Sequence, residues 1–127
     1  MGYTTTFRGR FNLDKTLAPE HAEYLRRDRI REEGAPDGYF QWKPTQDLRG
    51  VEWDENEKFN DYITWLRFVA RKMTEWGYRM NGTVQWWGEI SDDVGTLTVS
   101  DNVVTWEGSD QNRGGEHKPR SEDYYDE

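Results

Sequence analysis

Glu89, Asp92, Asp93 and Asp101 fall close together in the C-terminal half of the chain. Clustered carboxylates could hold a hard cation or act as paired acid and base. Their spacing matches no calcium loop, and aspartates commonly sit in turns because their side chains bond nearby backbone, so a turn is the expected role. His21 and His117 are the two histidines, one in an early helical stretch and one near the C-terminus, so a Ser-His-Asp arrangement would need a long fold-back. The absence of cysteine excludes a thiolate nucleophile, a thiolate metal site and a disulfide framework, and it suits a reducing compartment. No Gly-rich loop follows a strand in the manner of a phosphate cradle. The expectation is a protein with no catalytic residues, no metal and no cofactor.

Adjacent Trp86 and Trp87 carry the other possible chemistry. Neighbouring residues of a strand point to opposite faces, so only one of the two can enter a covered core. Trp86 shares its parity with Val84 and Ile90, which leaves Trp87 beside Gln85 and Glu89 as the ring expected at the surface. An exposed tryptophan can anchor a protein interface or stack on a sugar or base; loops or a second copy of the chain could equally cover it. The residues expected to bind a partner are Trp87, Gln85, Glu89, Asp92 and Asp93, with Tyr124 and Tyr125 of the acidic C-terminal segment as a second contact.

These residues need elements to position them. Thr4 to Leu13 alternates apolar and polar side chains as a half-buried strand does. Pro19-Glu20 starts a helix read as far as Glu33, with Ala22, Leu25 and Ile30 toward the core and Gly34-Ala35-Pro36 as the stop. Asp28 with Arg31, and Arg29 with Glu33, are spaced as ion pairs on a solvated face of that helix. Gly38 to Lys43 and Val51 to Trp53 read as a short hairpin, with Pro44 closing the first strand. Asp54 or Asn56 is the expected cap of a second helix, whose apolar positions Phe59, Tyr62, Ile63, Leu66, Val69, Ala70 and Met73 follow the 3.6 period. Trp65, Phe68 and Trp76 widen that stripe, which implies packing on more than one side before Gly77 ends the helix. Thr83 to Ile90, Thr96 to Ser100 and Val103 to Glu107 form a meander, with Asp101-Asn102 as a tight turn. The predicted class is α+β: a single antiparallel sheet with two helices in the order β-α-β-β-α-β-β-β. Residues 1–108 make one domain and residues 109–127 a disordered acidic tail.

Composition limits the partners. The chain has 127 residues and a net charge of −8, and the segment from Ser109 holds six acids against three bases, so acid is spread over the body as well. Phosphate-driven nucleic-acid binding depends on Lys and Arg, which makes a protein with a basic surface the more natural partner. No apolar run approaches the roughly 18 residues of a membrane helix, and Met1 to Thr6 lacks the features of a signal peptide, so a cytoplasmic location is expected. Met1-Gly2 with Thr6 fits a myristoylation pattern only superficially.

Val51-Glu52-Trp53-Asp54, Glu57-Lys58-Phe59, Tyr62-Ile63-Thr64-Trp65-Leu66, Gly77-Tyr78, Asn81-Gly82, Val84, Trp86, Gly88-Glu89, Asp93, Gly95 and Asp101-Asn102-Val103-Val104 form a set. Together with Tyr3-Thr4-Thr5, Pro19-Glu20 and Glu23-Tyr24-Leu25, it resembles a family of small proteins encoded in bacteriophage and prophage genomes. The resemblance spans residues 3 to 106, and it departs after Leu25, where such proteins carry a longer, basic, Gly-rich insertion. It implies a viral accessory role in the cytoplasm of a bacterial host, and it carries over no functional residue. The leading expectation is a non-enzymatic phage accessory protein that binds a host protein and inhibits a bacterial defence system. A module for a nucleotide or sugar, and a minor virion or assembly component, are the alternatives.

Overall fold

The computed structural model describes residues 5–36, 38–55, 61–89 and 92–108. Along them run β1 (Thr6–Leu13), α1 (Pro19–Leu25), β2 (Trp42–Pro44), β3 (Gly50–Trp53), α2 (Tyr62–Trp76), β4 (Met80–Trp87), β5 (Val94–Ser100) and β6 (Val103–Gly108). The six strands form one antiparallel sheet in the order β2-β3-β1-β4-β5-β6. This is the α+β class and the element order that the alternation and helical periods imply. The segment 109–127, read from sequence as a disordered tail, lies outside the described residues.

Strand parity decides what each face of the sheet carries. Phe7, Phe11 and Leu13 of β1, Val51 of β3, Val84 and Trp86 of β4, Leu97 and Val99 of β5 and Val104 of β6 are all buried. α2 covers them, with Tyr62 packed against both Phe7 and Trp86 at ring distances of 4.9 and 5.7 Å. The helix has a second buried side: Trp65 meets Phe40 at 4.9 Å, and Trp76 stacks on His21 of α1 at 4.1 Å. α2 therefore packs against the sheet on one side and against α1 and the segment around Phe40 on another, which is why its aromatic stripe is too broad for a one-sided helix. Gly77 ends it at φ 90°, a left-handed conformation that glycine adopts without a steric penalty.

α1 is shorter than expected, closing at Leu25 rather than Glu33. One face of a helix recurs every three or four residues, and Ile30, five beyond Leu25, would point roughly 140° away from it. The chain leaves the helix, and Ile30 becomes buried from an irregular segment. The anticipated pairs of Asp28 with Arg31 and Arg29 with Glu33 are absent among the described residues. Asp28 instead lies 3.5 Å from Lys43, Glu32 lies 2.9 Å from Lys72, and the Arg29 guanidinium sits 4.4 Å above the Tyr39 ring. β2 is also shifted from the expected span and contains Pro44, which an edge strand tolerates because one side of its backbone is unpaired. Asp54 does not cap α2; its N–H donates to Gln41 O, and Asp61 precedes the helix. Asn56 and Phe59 lie outside the described residues. β4 begins at Met80, three residues before its expected start.

The β2–β3 turn is held by Asp47. Its carboxylate accepts from the Thr45 hydroxyl at 2.6 Å and the Arg49 N–H at 3.0 Å, and it pairs with Arg10 at 3.3 Å. Those donors, Thr45 first, hold its pKa at about 2, below the ordinary 3.8. A depressed folded-state pKa contributes stability that is present above 3.8 and lost as pH falls through about 2. Asp47→Asn should therefore flatten the fall in melting temperature across that acid window, as read by scanning fluorimetry. An unchanged acid limb would mean that other carboxylates control it.

Candidate functional site

The second face of the sheet carries no helix or loop among the described residues. Antiparallel pairing brings its side chains into transverse rows. Thr6, Trp87 and Val94 form one row; Arg8, Gln85, Thr96 and Glu107 form the next; Arg10, Thr83, Thr98 and Thr105 form a third. Most of these positions are exposed, with Arg10, Thr96 and Thr98 half-buried by their neighbours. The result is a shallow surface of hydroxyl, amide and guanidinium groups with Trp87 at one end.

Trp87 is 37 % exposed and Val94 beside it 40 %, so two apolar side chains are adjacent at the surface. The Arg8 guanidinium lies 5.3 Å from the Trp87 ring centroid, in range for a cation–π contact. That contact orients the indole and leaves it accessible. Among the described residues the indole keeps this exposure beside Arg8 of the neighbouring strand. Trp86 points the opposite way, fully buried, and its indole N–H donates to Asp93 Oδ1 at 3.1 Å.

The residues singled out from sequence separate into distinct places. Trp87 and Gln85 share the open face, and Glu89 and Asp92 are exposed in the connection between β4 and β5 at the Trp87 end. Asp93 departs from the expectation, because it is 1 % exposed and fully inside that connection. Its main-chain oxygen accepts from Gly88 N–H at 2.7 Å while its carboxylate holds Trp86, so it is a structural residue and offers no surface to a partner. Tyr124 and Tyr125 lie outside the described residues. Asp101 sits at the opposite end of β5, roughly 20 Å from Asp92 by strand length, where it exchanges hydrogen bonds with Asn81 in a turn. The four carboxylates therefore do not converge, and the described residues contain no group of three or more His, Cys, Asp or Glu placed to hold a metal ion. His21 Nδ1 lies 2.8 Å from the Tyr78 hydroxyl and its ring is stacked on Trp76, which makes it part of the packing.

Arg8, Thr96, Thr98 and Thr105 belong to the open face and were not singled out from sequence. The alternation of β1 already placed Arg8 and Arg10 opposite Phe7 and Phe11. Their proximity to Trp87 and Gln85 depends on β1 pairing with β4 across more than 60 residues of intervening chain, and no local pattern carries that register. No helix among the described residues is long and apolar enough to cross a membrane. No protein-family model, curated protein or solved structure matches this chain.

Proposed function

We propose that this chain is a non-enzymatic accessory protein of bacteriophage that acts in the host cytoplasm by binding a host protein. The open face of its sheet is the contact surface. The observation behind this reading is the pair of apolar side chains, Trp87 and Val94, exposed among the described residues on one face of the sheet and flanked by the exposed acids Glu89 and Asp92. Interfaces concentrate their energy in a few aromatic anchors surrounded by polar contacts that exclude water. Trp87 supplies the anchor, Arg8 and Gln85 the adjoining polar contacts, and the acids select a partner with a basic rim. The phage resemblance makes a bacterial defence component the favoured target, with inhibition as the consequence of binding.

The test is affinity capture from a bacterial host lysate with the full chain as bait, followed by a binding titration with the recovered protein. A stoichiometric partner is expected, and Trp87→Ala should weaken its binding by at least about 30-fold, the hot-spot range, while still melting as a folded protein. Binding indifferent to Trp87→Ala and Arg8→Ala would remove the sheet face from consideration.

A further inference from the structure

The open face of the sheet is complementary to itself. Its middle row runs Arg8, Gln85, Thr96 and Glu107 across β1, β4, β5 and β6. A guanidinium therefore stands at one end of the row and a carboxylate at the other, with two uncharged polar side chains between them. In the row on one side, Trp87 of β4 is directly opposite Val94 of β5, and both are exposed. In the row on the other side, Thr83 of β4 is opposite Thr98 of β5. All three rows share a midpoint, the line between β4 and β5.

A two-fold axis along that line, parallel to the strands and in the plane of contact, turns this face over onto a second copy of the chain. Each β4 residue then lies over the residue that opposes it on β5, and each β1 residue over its counterpart on β6. Arg8 meets Glu107 of the second copy, Trp87 meets Val94, and Gln85 meets Thr96. Every contact occurs twice, as an isologous interface requires. Sheets stacked in this way keep their strands within about 30° of each other and stand about 10 Å apart, a gap that an arginine and a glutamate reaching from opposite sides can close. Among the described residues the ion pairs involve neither Arg8 nor Glu107, so each gains an ionic partner in the pair. The Arg8 guanidinium is already held 5.3 Å from the Trp87 ring centroid, which presets one half of that contact. A two-fold axis across the strands through the same row would instead lay Arg8 over Arg8 and Glu107 over Glu107, and like charges disfavour that arrangement.

We propose that the open face closes on a second copy of this chain about the strand-parallel axis, forming a weak symmetric dimer. Four strands about 4.8 Å apart and three rows about 6.8 Å apart present a face of roughly 20 by 20 Å, so the pair buries roughly 800 Å². That area belongs to the weak, transient class of contacts, and a dimer Kd of about 10–300 μM is expected. The dimer stands independently of host binding. Only its regulatory consequence, that self-association hides the surface offered to a host protein, rests on the reading given above.

The test is sedimentation velocity of the full chain from about 5 μM to about 1 mM, a range that brackets the expected Kd. A reversible monomer–dimer equilibrium should appear. Glu107→Arg and Arg8→Glu should each weaken it by at least about 10-fold, and the double variant carrying both, which restores opposite charges across the axis, should regain most of the loss. Cooperative melting shows that the variants are folded. Glu107 is exposed on an edge strand, so the Glu107→Arg result stands even if Arg8→Glu does not fold. Host capture is read separately: a chain that dimerises without capturing a host protein keeps the dimer and loses the host reading, and a monomer that captures one through Trp87 does the reverse. The proposal is overturned by a chain that stays monomeric at about 1 mM, by a dimer indifferent to Glu107→Arg, or by a folded double variant that associates no better than the single ones.

Discussion

Trp86→Ala should lower the unfolding free energy by about 3–5 kcal/mol, the usual cost of removing a large buried aromatic side chain. That is a large share of the roughly 5–15 kcal/mol by which domains of this kind are stable. Three contacts set the size of the effect. The indole is fully buried between the sheet and Tyr62, its N–H is bonded to Asp93, and its far edge lies over Gly95 on the neighbouring strand. A Cβ at position 95 would stand 2.3 Å from Trp86 Cη2 and 2.6 Å from the Glu107 carbonyl. Gly95→Ala should consequently cost about 1–3 kcal/mol through overpacking. The two substitutions share one space, so the double variant should be clearly less destabilised than the sum of the single ones. Urea denaturation followed by circular dichroism measures all three, and strict additivity would show that the glycine does not make room for the indole.

Lys72→Ala should destabilise the fold by about 2–3 kcal/mol, below the full cost of breaking a wholly buried ion pair because both acid partners reach solvent. Lys72 is 7 % exposed on the side of α2 that faces the N-terminal segment. Its ammonium lies 2.9 Å from Glu32 and 3.2 Å from Glu75, and within 5.1 and 5.5 Å of the Tyr24 and Trp76 ring centroids. The Tyr24 hydroxyl donates to the same Glu32 carboxylate. Lys72→Met keeps most of the packed stem and should recover more than half of the loss. A methionine variant as unstable as the alanine one would assign the effect to the charge alone.

The same cluster shapes the pH dependence. Burial pulls the Lys72 pKa down, but the hydrogen bonds its ammonium donates to Glu32 and Glu75 outweigh it and leave the pKa above the ordinary 10.5. Its stabilising contribution is therefore complete below 10.5 and lost as pH rises through the raised value. Glu32 moves the other way, lowered from 4.5 first by Tyr24 and then by Lys72, so its contribution is present above 4.5 and disappears as pH falls through the depressed value. Removing Lys72 should soften the alkaline limb more than the acid one, since Tyr24 still binds Glu32.

The positions where the chain departs from its local pattern share a cause. The fold class, the strand parities and the turn at Asp101-Asn102 are set by interactions within a few residues, and each is visible in the residue pattern. Both turn residues have positive φ, 47° and 70°, as the residue types suggest. The early end of α1, the partners of Asp28 and Glu32, and the burial of Asp93 involve contacts between segments distant in sequence. Asp28 and Arg31, like Arg29 and Glu33, are spaced as helix pairs, yet Asp28 pairs with Lys43 of β2 and Arg29 lies over the Tyr39 ring. Asp93 looked like one more surface carboxylate beside Asp92, and only the position of the Trp86 indole draws it inside.

One face of the sheet carries apolar residues and the other polar ones, and Trp86 and Trp87 are divided between them. Strand alternation alone requires this. Long-range packing sets which polar side chains stand next to Trp87 and which acids meet Lys43 and Lys72. Those neighbours are set by the pairing of β1 with β4 and by the irregular segment after Leu25 folding onto α2. Both are long-range closures whose register comes from the packed core and not from any local run of residues.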